Sequence, residues 1–267
     1  MKKTISFLLA VLMLFSLLSS VAFADLPDFS SMTDDELQEA KAAIELELDS
    51  RKRAALAEGI DATEDVAFVI SDTVFEVKPS ILGGYNYYAI VEITNTGISD
   101  LYLDDCVFDI EDDNGHLIDT DDFISKAPDI ISTGEKGYFY TNGANSLDDE
   151  FNPDNGANLV PNISVEKAKG KLTVYETVDT SLYENYGSVG VKGRVINNTD
   201  SDCSYLYVRV AFYDAEGKIL GVTGTSVTDL KANSKSSFDI SGMFLNDVTM
   251  ADVAEYKIYA NGTYMQF

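Results

Sequence analysis

Nine carboxylates crowd one short stretch of the chain: Asp104, Asp105, Asp109, Glu111, Asp112, Asp113, Asp119, Asp121 and Asp122. Such a cluster has two chemical uses. It can hold calcium, which takes about six to eight oxygen ligands, or it can supply two acids about 5–10 Å apart for glycoside hydrolysis. The spacing fits neither well. In a twelve-residue calcium loop begun at Asp109, Gly115 falls one place late and Thr120 stands where the closing Glu belongs. Asp112-Asp113-Asn114-Gly115 is also what a hairpin turn uses for itself. No feature of the sequence marks a cleft for paired acids.

The other reactive residue types are sparse. His116 is the single histidine, so a Ser/His/Asp or Cys/His arrangement would depend on it, and a His-based zinc site lacks a second imidazole. It follows a hairpin glycine and is expected in solvent. No Gly-rich phosphate loop and no Cys-x-x-Cys is present. Cys106 and Cys203 are the only cysteines. In an exported protein a pair invites a disulfide, which needs Cα atoms within about 7 Å. Cys106 falls on an inward strand position and is expected as a buried free thiol, and Cys203 falls in a polar turn region. Tyr85, Tyr87 and Tyr88 follow Gly83-Gly84, and Tyr183 and Tyr186 occupy the matching region further on. These tyrosines are either core or an exposed recognition patch.

The elements that must position these residues are strands, and they occur twice. Tyr87, Ala89, Val91 and Ile93 alternate with Tyr88, Ile90, Glu92 and Thr94. About 102 positions on, Val189, Val191, Gly193 and Val195 alternate with Gly190, Lys192, Arg194 and Ile196. This period of two is the strand signature. Each run meets an asparagine, Asn95 or Asn197, and then a polar turn. The next strand has inward positions Cys106, Phe108 and Ile110 in one copy and Val208, Val210 and Phe212 in the other. DDNG and DAEG close the two hairpins, with glycine free to take positive φ. "TVFE" at 73–76 reads as the partner of "TVYE" at 173–176. "TGEKGYF" at 133–139 matches "ANSKSSF" at 232–238 after a three-residue indel, and "NISVEKAKG" matches "EYKIYANG". An internal repeat of about 100 residues, with several short strands per copy, predicts two tandem all-β sandwiches of immunoglobulin-like architecture. The expected divisions are 1–24, 25–60, 61–170 and 171–267. No Pro-, Gly- or Ser-rich linker separates the repeats, so they should sit close and flex little.

The N-terminus adds location. Lys2 and Lys3 precede an apolar run from Phe7 to Leu18, and Ala22-Phe23-Ala24 is a small-x-small cleavage pattern. This is a secretory signal, expected to be cut after Ala24 to leave Asp25 first. The competing reading, a membrane anchor, is disfavoured by the short apolar run. No second long apolar run follows, and no Cys stands at the cleavage point for lipid attachment. The mature chain is therefore expected outside the cytoplasm without stable membrane insertion, and the lysine-led signal suits a Gram-positive bacterium. Thr33 and Glu36 form a capping box, and Leu37, Ala40, Ile44 and Leu48 make one thin apolar stripe, predicting a helix that ends by Gly59. The formal net charge is −26, and the leader removes only lysines. Nucleic acid is an unsuitable partner, because phosphate contacts need clustered Lys and Arg.

The run "YVRVAFYDAEGKILG", preceded by "GRVINNTDSDCSYLY" and followed by "LKANSKSSF", resembles the FxLYD-type domain. The second repeat matches across about residues 171–243. The first is a weaker match, with Ile110 and Glu111 where the second has Phe212 and Tyr213. The resemblance implies a small Ig-like β-sandwich of bacterial extracytoplasmic proteins and carries no catalytic, cofactor or metal residues to transfer. The expected function is non-catalytic: binding, spacing or scaffolding at the cell exterior, with a protein or glycan ligand and no cofactor. The alternative is a carboxylate-dependent cell-envelope hydrolase. Oligomeric state is not legible.

Overall fold

The computed structural model describes residues 65–80, 83–141, 145–147, 151–170, 172–185, 187–242 and 248–262. The expected signal segment, the helix over 33–59 and Tyr186 lie outside the described residues. The described residues belong to one compact unit, Thr63–Phe267. Its elements are β1 (Phe68–Pro79), β2 (Tyr85–Asn95), β3 (Leu101–Glu111), β4 (Leu117–Asp121), β5 (Ser125–Ala127), β6 (Ile130–Ile131), β7 (Lys136–Tyr140), β8 (Asn145–Ser146) and β9 (Asn158–Lys167). Then come β10 (Glu176–Asn185), β11 (Ser188–Asn197), β12 (Cys203–Tyr213), β13 (Ile219–Leu230), β14 (Ser234–Ile240) and β15 (Glu255–Gly262). Among the described residues the helical content is a single turn, Pro153–Asn155.

All pairings are antiparallel, and the sheets fall into two sets. β1-β2-β7-β5, with β8 on β2, faces β4-β3-β6, with β9 on β3. β10-β11-β14 faces β13-β12-β15. The first set closes on Tyr87, Ala89, Val91, Ile93, Cys106, Phe108 and Ile110. The second closes on Val189, Val191, Val195, Val208, Val210 and Phe212. The fold is thus all-β and sandwich-like, and the alternating residues chosen from the sequence are its inward faces. Period two makes this so, because successive side chains point to opposite sides of a strand.

Register makes the likeness of the two sets concrete. Val91 pairs with Phe139 in one and Gly193 with Phe238 in the other, as the three-residue indel requires. Asn95 and Asn197 are both fully buried. Asn95 donates to Ser99 O at 2.9 Å and Ile131 O at 3.0 Å, and accepts from Gly97 N at 2.9 Å. Asn197 repeats the pattern with Ser201 O at 2.8 Å, Leu230 O at 3.3 Å and Thr199 N at 3.0 Å. Each amide stitches the end of one sheet to the other. The hairpin aspartates also match. Asp112 accepts the amides of Asn114 and His116, and Asp214 those of Glu216 and Lys218. Gly115 and Gly217 close these turns at φ 79° and 78°.

One sequence match fails. Glu76 pairs with Tyr88, and Tyr183 pairs with Gly190. The counterpart of Thr73–Glu76 is therefore Thr180–Tyr183, not residues 173–176. Val174 instead bridges Asn261 in the opposite sheet. A four-letter likeness without its pairing partner does not fix strand register.

Candidate functional site

The outer face of β12 divides into two chemically distinct halves. Its outward residues are Tyr205, Tyr207, Arg209, Ala211 and Tyr213, opposite the inward Leu206, Val208, Val210 and Phe212. The half bearing Ala211 and Tyr213 is covered by the outer face of β2 and β7. Tyr88, Ile90, Ala127, Tyr138 and Tyr140 of the first sandwich meet Ala211, Tyr213, Ile219 and Val222 of the second, all buried. β2 is therefore buried on both faces, which explains its nearly unbroken run of buried positions.

A buried carboxylate organises this junction. Glu92 is 1% exposed. Lys136 Nζ lies 2.7 Å from its Oε1, Ser71 Oγ donates to Oε1 at 2.8 Å, and Tyr213 OH donates to Oε2 at 3.0 Å. Tyr138 OH bonds Tyr213 OH, and Tyr259 OH lies 3.1 Å from Tyr138 OH. One donor order satisfies every atom: Tyr259 to Tyr138, Tyr138 to Tyr213, Tyr213 to Glu92. Burial pushes the Tyr138 and Tyr213 hydroxyls far above the ordinary phenol range, so both stay protonated donors. A buried charge is tolerable when it is paired and fully hydrogen-bonded. Tyr88 OH adds a second anchor, donating to Val222 O at 3.2 Å and accepting from Val222 N at 3.3 Å. At the rim Asp72 accepts from Ile219 N at 3.1 Å, and Lys257 pairs with Glu135 at 2.8 Å.

The corresponding free faces lack this chemistry. Gly190, Lys192 and Arg194 stand in β11 where Tyr88, Ile90 and Glu92 stand in β2. Ser237 and Asp239 stand where Tyr138 and Tyr140 do. Arg194 pairs with Asp179 at 3.3 Å, and Tyr183 OH bonds Asp239, so that face is polar and satisfied by itself. On β3, Asp109 and Glu111 replace Ala211 and Tyr213. On these two described faces the stacking mode used between the sandwiches has no apolar surface to repeat it.

The other half of the β12 face is open. Tyr205 is 40% exposed. Its ring centroid lies 4.8 Å from that of Tyr207, edge to face, and the Arg209 guanidinium lies 4.2 Å from the Tyr207 centroid. Arg209 reaches the junction at Tyr140, and its Nη1 is buried without a hydrogen-bond partner. Gly224, paired with Arg209, makes room for it: a Cβ there would sit 2.9 Å from Arg209 Cγ and 2.8 Å from Val208 O.

The candidates chosen from the sequence have other places. Tyr87 lies in the first core with its hydroxyl on Asp121 at 2.7 Å, and Tyr88 lies in the junction. Tyr85 packs edge-on to Phe151, so these tyrosines form no exposed patch. The carboxylates are spread along the hairpin and engaged locally: Asp109 with Thr120 and Asn162, Asp113 with Asn158, Asp104 with Ser164. Among the described residues no three acids, histidines or cysteines gather as metal ligands would. His116 is exposed, with Nδ1 3.1 Å from Asp112. The His116 amide, more than any other partner, holds the Asp112 carboxyl down at about 2. Cys106 and Cys203 are free thiols in separate cores. Burial pushes the Cys106 thiol up to about 12. Cys203 is a buried strand position, the register equivalent of Leu101, rather than part of the turn.

Glu92 and the Tyr205–Tyr207–Arg209 ladder were not singled out by sequence. For Glu92 the signal was the run YYAIVEIT, apolar on both strand faces. For the ladder it was Tyr-x-Tyr-x-Arg on the face opposite the core.

Comparison with known proteins adds little. No family model and no curated protein matches the chain. Among solved structures, the N-terminal CBM22-1-CBM22-2 tandem domain of Paenibacillus barcinonensis Xyn10C aligns at 12% identity over 77% of this chain and 92% of that one. Its TM-score is 0.13, too low to define either fold or function.

Proposed function

We propose that this is a secreted, non-catalytic binding protein of the bacterial cell exterior, built from two tandem Ig-like sandwiches of FxLYD type, 61–170 and 171–267. The signal 1–24 directs export, and the segment 25–60 precedes the first sandwich. The observation that carries the reading is the division of labour on one sheet face. Half of the β12 face is consumed in a junction held by Glu92, Tyr138 and Tyr213. The other half presents Tyr205, backed by Tyr207, which neither the cores nor the Glu92 network use, and tyrosine is enriched at recognition surfaces. The junction fixes one sandwich on the other, so the second is held at a set distance and orientation. In β-sandwiches function resides on faces and loops, not in the repeated core positions.

Incubation of the tagged mature protein with cell-wall fragments and secreted proteins of its own source tests this. Retention of a specific component, without its turnover, is the expected result. Hydrolysis of glycan, peptidoglycan or peptide by the purified protein, lost on changing one or two of the hairpin carboxylates, would replace this reading with the hydrolase one.

A further inference from the structure

We propose that the open half of the β12 face is a subsite for a neutral saccharide, an inference that rests on the binding-module reading above. The ladder Tyr205–Tyr207–Arg209 stands along one strand. The paired outward positions of β13 are Thr228, Ser226 and Gly224, all small and exposed. Together they make a shallow trough with tyrosine rings along β12 on one side and small, hydroxyl-bearing positions of β13 on the other. Arg209 Nη1 is itself buried, so the polar groups that face a ligand here are the exposed hydroxyls of Ser226 and Thr228. The register equivalents of Tyr207 and Arg209 in the first sandwich are Asp105 and Val107, so the trough belongs to the second sandwich alone.

Size and charge choose the occupant. From residue 205 to 209 the strand advances about 14 Å, and the two strands β12 and β13 cover about 10 Å across. The patch is therefore on the order of 150 Å², far below the roughly 800 Å² per partner of a stable protein interface. Two or three sugar rings match it. A chain with a formal net charge of −26 repels polyanions, and the Arg209 guanidinium 4.2 Å from the Tyr207 centroid repels a cation from that ring. What remains is a ligand rich in hydroxyls and without charge, which accepts from Ser226 and Thr228 and lays its C–H face on tyrosine.

The test is affinity electrophoresis of the mature protein in gels carrying xylan, hydroxyethylcellulose, galactomannan or soluble starch, with matched cell-wall pull-downs. Retardation by at least one of these, weakened on the order of tenfold in Tyr205→Ala and unchanged in the control Tyr183→Ala, is the expected result. Tyr205 is exposed, so its removal leaves folding intact, and cooperative urea unfolding checks this. No retardation in any gel, or equal retardation of wild type and Tyr205→Ala, overturns the saccharide subsite. If a protein is captured by wild type and lost in Tyr205→Ala, the saccharide proposal falls and the binding-module reading stands. If nothing is retained in either format, both fall.

Discussion

Replacing Glu92 by alanine should release the junction. Three donors lose their acceptor: Lys136, Ser71 and Tyr213. They do not lose equally. The Lys136 side chain is 38% exposed and Ser71 lies at the surface, so both rehydrate. Tyr213, at 7% exposure, cannot. Leaving a buried hydroxyl unpaired costs about 1–3 kcal/mol, and losing a hydrogen bond to a charged group about 1.5–3 kcal/mol. These overlap, so the expected loss is about 2–4 kcal/mol, below the upper range for breaking a buried ion pair. Glu92→Gln keeps an acceptor oxygen for Tyr213 and should cost about half as much. Arg194→Ala, at the equivalent position on the exposed β11 face, should stay within about 0.5 kcal/mol of wild type. Urea unfolding of the mature chain, read from tyrosine fluorescence and circular dichroism, gives all three values. If Glu92→Ala is no more destabilising than Arg194→Ala, the carboxylate does not hold the junction.

Asn95→Ala and Asn197→Ala should each destabilise by about 2–4 kcal/mol, since each strands buried inter-sheet carbonyls; a loss below about 1 kcal/mol in denaturant titrations would contradict the stitching role. Cys106 should resist maleimide in the native protein, where burial shields the thiol and holds it protonated, and Cys106 and Cys203 should both react after denaturation without reductant. A Cys106–Cys203 peptide in a non-reduced tryptic map would refute this. The Asp112 carboxyl is held below its unfolded value, so its contribution to the hairpin is complete above about pH 4 and fades as pH falls through about 2. Protection of the Asn114 and His116 amides, which donate to that carboxyl, should fall over that window relative to their intrinsic exchange rates, and His116→Ala, which keeps the backbone amide, should leave it nearly unchanged at neutral pH.

Strands and their inward faces were legible because burial on one side enforces period two. The hairpins at Asp112 and Asp214 were legible because an aspartate-to-amide turn needs only local residues. Strand pairing at a distance was not: residues 73–76 and 173–176 look alike, yet their partners differ. The junction was hidden for a related reason. Tyr88, Ile90 and Glu92 look like the outward side of an ordinary strand until another sheet covers them. Their counterparts Gly190, Lys192 and Arg194 mark the difference, which becomes informative once the register is known. The tyrosines beside Gly83-Gly84 read equally as core or patch, because composition does not say which ring finds a core. Tyr205 and Tyr207 taken singly carry no mark in the sequence, because exposed tyrosine is also ordinary strand-forming sequence.

The most direct measurement is an amide ¹H–¹⁵N map of the mature protein titrated with oligosaccharides cut from whichever neutral polysaccharide retards it most, or from all four if none does. Saturable shifts confined to Tyr205–Arg209 of β12 and Gly224–Thr228 of β13, with the Glu92 junction and the β3 hairpin undisturbed, are expected. Absence of shifts with every oligosaccharide, or shifts centred on Asp109 and Asp112, would contradict binding at this face.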